Sequence, residues 1–311
     1  FKMKKQLLIA AVAATMASAS MADISITGAG MAKFVTTDTA GTGTDSHTTS
    51  QEMDLKVTGK SGDTTVVMAF DMNGASTVTA GDQYISTKIG DVSIKMGDFI
   101  GGKSTLTKRS ARADKLSASM NVGTAKITYE NNASNTAGAV YVSADLGGVA
   151  ATYKQKDGSN EVHLSGSVGG VAVKYRGIDK DAANSDMSLI QVSGTVGGVA
   201  LTYADASTDA SANVNGDGFF GDLNGSAGTS SAGAGADITG FSAAMDLAGN
   251  AVTFKSVDID GTSAQDKTIN SITAVRGLAS GATLTTKYTM TDVVAANTDT
   301  DTLEVKLSVA F

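Results

Sequence analysis

The sequence predicts an all-β fold, specifically a transmembrane up-and-down antiparallel β-barrel of 16 to 18 strands, with the count favouring 18. Apolar and polar residues alternate with a period of two in nearly every window after residue 22, which is typical of strands with one apolar face. Short connections alternate with long ones, as the two rims of a membrane barrel require. The chain contains no Pro, which favours strands because Pro removes a backbone donor.

The first 22 residues have the pattern of an export signal. Three lysines among the first five residues precede a short apolar run, Leu7 to Ala14, and small residues then lead to Ala22. The run is too short to cross a bilayer as a helix. We therefore predict that residues 1–22 are a secretory signal peptide that is removed, and that residues 23–311 form the barrel.

A hairpin is repeated three times in the middle of the chain. Val140 to Tyr153, Val162 to Tyr175 and Val192 to Tyr203 each alternate into a Gly-Gly-Val-Ala turn and then alternate again. The same pattern, followed along the whole chain, gives 18 strands. The count falls to 16 if the weaker segments, 82–89 or 268–278, do not form strands.

The connections between the predicted strands alternate in length. Each tight turn, such as Gly90-Asp91, is followed by a longer and more polar connection. The long connections are Thr37 to Ser50, Phe99 to Ala113, Ala206 to Gly235 and Asp292 to Thr300. This alternation favours an up-and-down barrel, because a Greek-key sandwich has no reason to keep it.

Charged residues cluster on one face of the predicted strands. For example, Lys174 and Arg176 alternate with Val173 and Tyr175. In a soluble sandwich this face would contact bulk water, whereas in a barrel of this size it would line an aqueous lumen. The residues predicted to form the lumen wall are Lys95, Lys126, Lys154, Lys174 and Arg176.

Tyrosines recur at one position on the apolar face. Tyr129, Tyr153, Tyr175 and Tyr203 each lie five residues after their turn. Aromatic residues at one height around an apolar surface indicate an interfacial girdle of a membrane barrel. The alternative is a set of aromatic side chains in the core of a sandwich.

The composition argues against several functions. The formal net charge of −7 argues against nucleic-acid binding, and the absence of Cys excludes thiolate metal sites. Neither His47 nor His163 pairs with an evident nucleophile, so we expect no enzyme and no catalytic residue. The stretch from Asn213 to Gly218 resembles the start of a calcium loop, but its twelfth position is Asn224 rather than Glu. We therefore expect no metal and no cofactor.

The combined features resemble the general porins of Gram-negative outer membranes, over essentially the whole chain after residue 22. The resemblance rests on the strand that follows the signal at Asp23, on the hairpin from Gly90 to Gly97 before the third long connection, and on Leu-Ser-Val-Ala-Phe ending at Phe311. It implies a homotrimer in outer-membrane lipid. It also implies that Phe311 is the signal by which the barrel-assembly machinery recognises the chain.

In the porins that the chain resembles, the third long loop folds into the barrel and narrows the pore. The matching stretch, Phe99 to Ala113, carries four cations: Lys103, Lys108, Arg109 and Arg112. No acid lies between them, so we expect the loop to draw anions, the alternative being a solvated surface loop. The resemblance thus implies passive diffusion of small hydrophilic solutes with an anion preference. The alternative is an exported structural or adhesive surface β-protein without a pore.

Overall fold

The described chain forms one closed antiparallel sheet. The computed structural model describes residues 23–40, 45–74, 77–100, 112–132, 135–209, 219–220, 235–261, 266–294 and 299–311. The predicted signal peptide, residues 1–22, lies outside the described residues. Among those that are described, no helix has the length and apolar character needed to cross a membrane.

Eighteen strands follow one another along the chain and pair in the same order around the sheet. They are β1 (Asp23–Thr39), β2 (Ser46–Ser61), β3 (Thr64–Asn73), β4 (Thr77–Ile89), β5 (Val92–Ile100), β6 (Arg112–Val122), β7 (Ala125–Asn132), β8 (Asn135–Asp145), β9 (Val149–Lys156), β10 (Ser159–Val168), β11 (Val171–Lys180), β12 (Met187–Val196), β13 (Val199–Thr208), β14 (Asp237–Leu247), β15 (Asn250–Asp260), β16 (Lys267–Gly277), β17 (Thr283–Val293) and β18 (Thr300–Ala310).

Pairing between β1 and β18 closes the sheet into a barrel. Its register runs from Ala29 opposite Ala310 to Thr39 opposite Thr300. Because every strand has two neighbours, the backbone has no unpaired edge. The favoured count of 18 strands is therefore confirmed, and the two weaker segments of the sequence form β4 and β16.

Gly-Gly turns connect the repeated hairpins at one end of the barrel. Gly169 and Gly170 join β10 to β11 with φ of 58° and 81°, and Gly197 and Gly198 join β12 to β13 with φ of 58° and 82°. Two successive residues with positive φ match the twist of the flanking strands, and Gly adopts this conformation without steric cost. We call this end the turn end and the opposite end the loop end.

The connections at the loop end are less uniform than the sequence predicts. The β9–β10 connection contains only residues 157 and 158, and the β7–β8 connection only 133 and 134, so a longer connection does not follow every tight turn. The predicted long connection from Thr37 to Ser50 is also too long, because β1 and β2 keep pairing as far as Thr37 opposite Ser46. Polar Thr and Ser side chains therefore continue the ladder beyond the alternating segments.

The two faces of the strands differ in chemistry and exposure. Large apolar side chains alternate outward and are open to the surroundings, for example Met96 (60% exposed), Tyr203 (47%) and Phe254 (43%). The alternate residues point into the barrel, and on β12 to β16 the inward set includes the buried Leu189 and Ile238. A soluble sandwich would bury its apolar face, so the exposed apolar band is what a lipid-facing wall requires.

Candidate functional site

Basic residues outnumber acidic residues on the inner register positions of the strands. The inward cations are Lys33, Lys56, Lys60, Lys88, Lys95, Lys115, Lys126, Lys154, Lys156, Lys174, Arg176, Lys180, Lys255, Lys267, Lys287 and Lys306. The inward acids are Asp23, Glu52, Asp54, Asp71, Asp82, Glu130, Asp145, Glu161, Asp246 and Glu304. An acidic chain thus has a barrel interior with an excess of positive charge.

Glu161 is the centre of a charged cluster on neighbouring strands of the inner wall. Its carboxylate accepts from Arg176 Nη2 at 2.8 Å and Lys154 Nζ at 2.9 Å, and it lies 3.2 Å from His163 Nε2. Three neighbouring strands bring these groups together. Lys154 on β9 lies opposite Glu161 on β10, and Arg176 on β11 lies opposite His163 on β10. Within the described part of the chain, Nε and Nη1 of Arg176 are buried without a partner.

Lys95 lies between two aromatic rings on the adjoining wall. Its ammonium is 3.7 Å from the centroid of the Tyr84 ring and 3.9 Å from that of Phe99. The nearby Lys115 is 5% exposed, and its ammonium is 5.8 Å from the centroid of Phe99. Cation–π contacts of this kind hold the ammonium groups against the aromatic rings.

The remaining predicted wall residues are Lys126 and Lys174. Lys126 lies on β7 next to the turn end and is exposed, whereas Lys174 is half-buried on β11. Both occupy inner register positions. The five predicted wall residues thus lie on β5, β7, β9 and β11, so they cover one side of the barrel rather than surrounding it.

Arg112 has a different position from the one its predicted loop implies. Lys103, Lys108 and Arg109 lie outside the described residues, but Arg112 is the first residue of β6. Its guanidinium is 3.4 Å from Asp71 Oδ2 and 3.3 Å from Asp82 Oδ1, and Nη1 donates to the Ala80 carbonyl. Arg112 therefore joins β6 to β3 and β4, and two carboxylates offset its charge.

Phe311 closes the seam between the first and last strands. Its backbone N–H and C=O both bond to Gly28, at 2.9 and 2.8 Å. The Phe311 ring covers Gly28, where any Cβ would overlap it. Inside the same seam, Lys33 Nζ lies 3.5 Å from Glu304 Oε2. The role of Phe311 as an assembly signal remains a prediction.

Several residues of this inner surface are missing from the set predicted by sequence. Lys115 and Glu161 have the inward parity of their strands, so alternation alone could have identified them. Phe219 and Phe220 lie in a connection, where no periodicity applies. Their signal is the presence of two adjacent large apolar residues in a stretch of Gly, Ala and Asp. Among the described residues, no group of three or more His, Asp or Glu could hold a metal ion.

Comparison with known proteins supports the fold and no finer assignment. No model of a protein family matches the chain, and no curated protein matches it. Solved structures of Pseudomonas aeruginosa porins do match. OpdL has a TM-score of 0.68 at 10% identity and covers 93% of this chain and 99% of its own. OccK2 (OpdF) has a TM-score of 0.68 at 11% identity and covers 93% of this chain and 98% of its own. OccK5 (OpdH) has a TM-score of 0.65 at 10% identity and covers 93% of this chain and 98% of its own. The chain therefore has a porin-like fold, a closed 18-strand antiparallel barrel.

Proposed function

We propose that the protein is an outer-membrane porin of a Gram-negative bacterium, a passive diffusion channel for small hydrophilic solutes with a preference for anions. The observation that carries the proposal is the division of one closed barrel into an apolar outer face and an inner face lined with charge. Solutes would pass by diffusion through water, without a chemical step or energy coupling. The porin-like fold shared with the Pseudomonas structures supports the same function.

The tyrosines on the outer face support a membrane position. The hydroxyl of Tyr153 donates to Asn160 at 2.8 Å, and that of Tyr203 to Asp205 at 3.4 Å. In both cases the ring stays on the apolar band while its hydroxyl reaches a polar side chain nearer the loop end. This is the arrangement of an interfacial aromatic belt, which favours lipid around the barrel.

The anion preference rests on the excess of cations inside the barrel. Lys154 and Arg176 share one carboxylate, Glu161, so that cluster keeps a net positive charge. Lys95 and Lys115 add two ammonium groups held by aromatic rings. In a low-dielectric wall such charges raise the local concentration of anions and lower that of cations. Lys103, Lys108 and Arg109 would add to the effect if their loop lies inside the barrel, whereas Arg112 is paired with Asp71 and Asp82.

The proposed partners follow from the resemblance to porins. We expect the barrel to sit in outer-membrane lipid, to be assembled by the barrel-assembly machinery through Phe311, and to form a homotrimer. Cross-linking of the purified protein in detergent would give a trimeric species if this is correct. Deletion of Phe311 would lower the yield of folded barrel in the outer membrane.

Reconstitution into planar bilayers tests the function. The purified protein should give stepwise conductance, and in a salt gradient its reversal potential should indicate that anions carry most of the current. Absence of steps at every voltage would instead favour the structural or adhesive alternative. Cation selectivity would leave the channel intact and refute the anion preference.

Charge variants separate the loop from the wall. Neutralising Lys103, Lys108 and Arg109 together tests the loop, and neutralising Lys154 and Lys174 together tests the wall. The matched control is Arg276→Gln, because Arg276 lies at an exposed outward position near the turn end of β16, so its loss should change the reversal potential least. If both combined variants kept the wild-type reversal potential, charge on neither surface would set selectivity.

A further inference from the structure

Two aromatic residues from a connection lie inside the barrel. Phe220 is 1% exposed and packs in one cluster with inward side chains of β12 to β16, among them Leu189, Ile238 and Ile259. The inner face of these strands is apolar near the loop end, whereas β5 to β11 carry charge at comparable positions. Burial of apolar surface between Phe220 and this part of the wall holds Phe220 in place.

Phe219 lies beside Phe220 and is held by three further contacts. The two rings are 5.3 Å apart and nearly perpendicular. The Lys255 ammonium donates to the Phe219 carbonyl and is 4.5 Å from the centroid of its ring. The ring also covers Gly240 on β14, where a Cβ would overlap it. Phe219 is half-buried, so part of its ring faces the interior of the barrel.

Hydrogen bonds also fix both ends of the same connection to the barrel. Thr208 N–H donates to the Ala236 carbonyl at 3.0 Å, Ala236 N–H donates to the Thr208 hydroxyl, and Gly235 N–H donates to the Asp209 carbonyl. The ladder between β13 and β14 thus continues beyond the last paired residues of the strands. Phe219 and Phe220 are therefore anchored to the wall at their own positions and at the base of the connection.

The position of Phe219 brings it across the barrel from the aromatic pair that holds Lys95. In a closed sheet of 18 strands β14 is diametrically opposite β5. Gly240 lies seven residues from the turn end of β14, and Phe99 lies seven residues from the turn end of β5, so the two are at similar heights. Phe99 is 2% exposed and lies against its own wall, whereas Phe219 is only partly buried, so Phe219 is the ring that reduces the free cross-section.

We propose that Phe219, seated on Gly240 and anchored by Phe220 and Lys255, is a specificity-determining residue that narrows the channel opposite Phe99. This inference rests on the proposed porin function and goes beyond it, because it assigns solute exclusion by size to a segment outside the third long connection. Solutes pass the partly exposed Phe219 on one side and the wall that holds Lys95 on the other.

Single-channel conductance of the full chain in planar bilayers tests the assignment. Phe219→Ala should raise conductance about twofold, because conductance follows the narrowest cross-section of a water-filled pore. The same variant should let larger neutral sugars enter proteoliposomes in swelling assays. Gly240→Ala should lower conductance, since the added methyl group pushes the Phe219 ring toward the lumen.

Gly277→Ala is the matched control, because Gly277 is also an inward glycine but nothing lies within 4 Å of a Cβ added there. It should conduct like wild type. The chain contains no Cys, so Phe219→Cys provides a second measurement: a bulky thiol reagent should reduce its current and leave wild type unchanged. Folding of each variant is checked by its heat-dependent shift in gel mobility.

The outcomes distinguish this inference from the function on which it rests. A wild-type protein that gives no conductance steps would refute the porin proposal itself. A conducting wild type, together with Phe219→Ala of equal conductance and equal sugar exclusion, would overturn only the assignment of Phe219. An unmodified current in Phe219→Cys after reagent treatment would overturn it as well.

Discussion

Aromatic rings of the outer face repeatedly cover glycines. Tyr129 lies over Gly138, Tyr175 over Gly177 and Phe311 over Gly28. A glycine in a strand leaves a gap in the surface and weakens the strand, and a neighbouring ring fills the gap. The rings therefore stabilise positions that would otherwise be weak points of the lipid-facing wall.

The glycine beneath Phe311 gives a test of the seam. Gly28→Ala should destabilise the barrel by about 1–3 kcal/mol, because the new methyl group overlaps the Phe311 ring and the Asp54 carbonyl is also close. Gly30→Ala on the same strand is the control, since nothing lies within 4 Å of its added Cβ. The temperature at which the folded barrel unfolds in detergent should fall for the first variant only. Equal temperatures would mean that the ring is not held against Gly28.

Glu161 provides a second test at single-residue resolution. Glu161→Gln removes the carboxylate from a cluster in which the Arg176 side chain is 8% exposed, so about 3–5 kcal/mol of stability should be lost. Glu304→Gln is the control. The side chains of Lys33 and Glu304 are 33% and 26% exposed, so their ion pair contributes less to stability. Denaturant unfolding followed by circular dichroism measures both. A smaller loss for Glu161→Gln than for Glu304→Gln would contradict the importance of the cluster.

The Gly-Gly turns determine how neighbouring strands are joined. Gly170 has φ of 81°, in the left-handed region that other residues rarely adopt. Gly170→Val should therefore cost about 1–2 kcal/mol, whereas Gly170→Asn should cost less because Asn tolerates this conformation. Unfolding midpoints of the two variants in detergent provide the comparison. If Val were tolerated as well as Asn, the turn would not need its observed conformation.

Strands and turns were the predictable elements of this chain. Alternation and Gly-rich turns locate every strand, because a strand with one apolar face needs alternating residues and a turn with positive φ favours Gly. The loop ends were less predictable. Thr and Ser tolerate strand and loop alike, so nothing in the sequence marks where the β1–β2 ladder ends. The β9–β10 turn, Asp157-Gly158, likewise has the residues of a tight turn at the end where long connections were expected.

The whole molecule separates its charges by location. Two exposed aspartate pairs face each other directly across neighbouring strands at outward positions near the loop end: Asp38 and Asp301, Asp237 and Asp260. Like charges directly opposite are unfavourable in a sheet, and high-dielectric surroundings reduce the cost. The cations, in contrast, concentrate inside. Net charge alone would predict the opposite of the anion preference that we propose.

Ionic strength tests this charge distribution. The anion preference should be strong in dilute salt and should decline toward equal permeability near 1 M, since the screening length falls from about 30 Å at 0.01 M to about 3 Å at 1 M. Reversal potentials at a constant concentration ratio, measured at several absolute concentrations, give the dependence. A preference that does not change with salt would indicate a close-contact binding site rather than the field of the wall.

The inner surface was only partly predictable. Parity identifies inward residues such as Lys154 and Arg176, because alternation fixes which face a side chain occupies. It does not show that Glu161 pairs with both, since that contact depends on register between strands. Phe219 and Phe220 required the three-dimensional structure, because their partners come from five strands separated by many residues.

The two shortest connections at the loop end make one side of the mouth lower than the other. Only residues 157 and 158 join β9 to β10, and a cleft of about 400 Å³ lies beside them, lined in part by Lys156, Asp157 and Asn160. The β13–β14 connection, four strands further round the barrel than the β9–β10 connection, is far longer. A diffusing solute therefore has a wider range of approach directions over the low rim, and it first meets the wall that carries Lys154 and Arg176. The entrance would thus sort solutes by charge before the barrel sorts them by size.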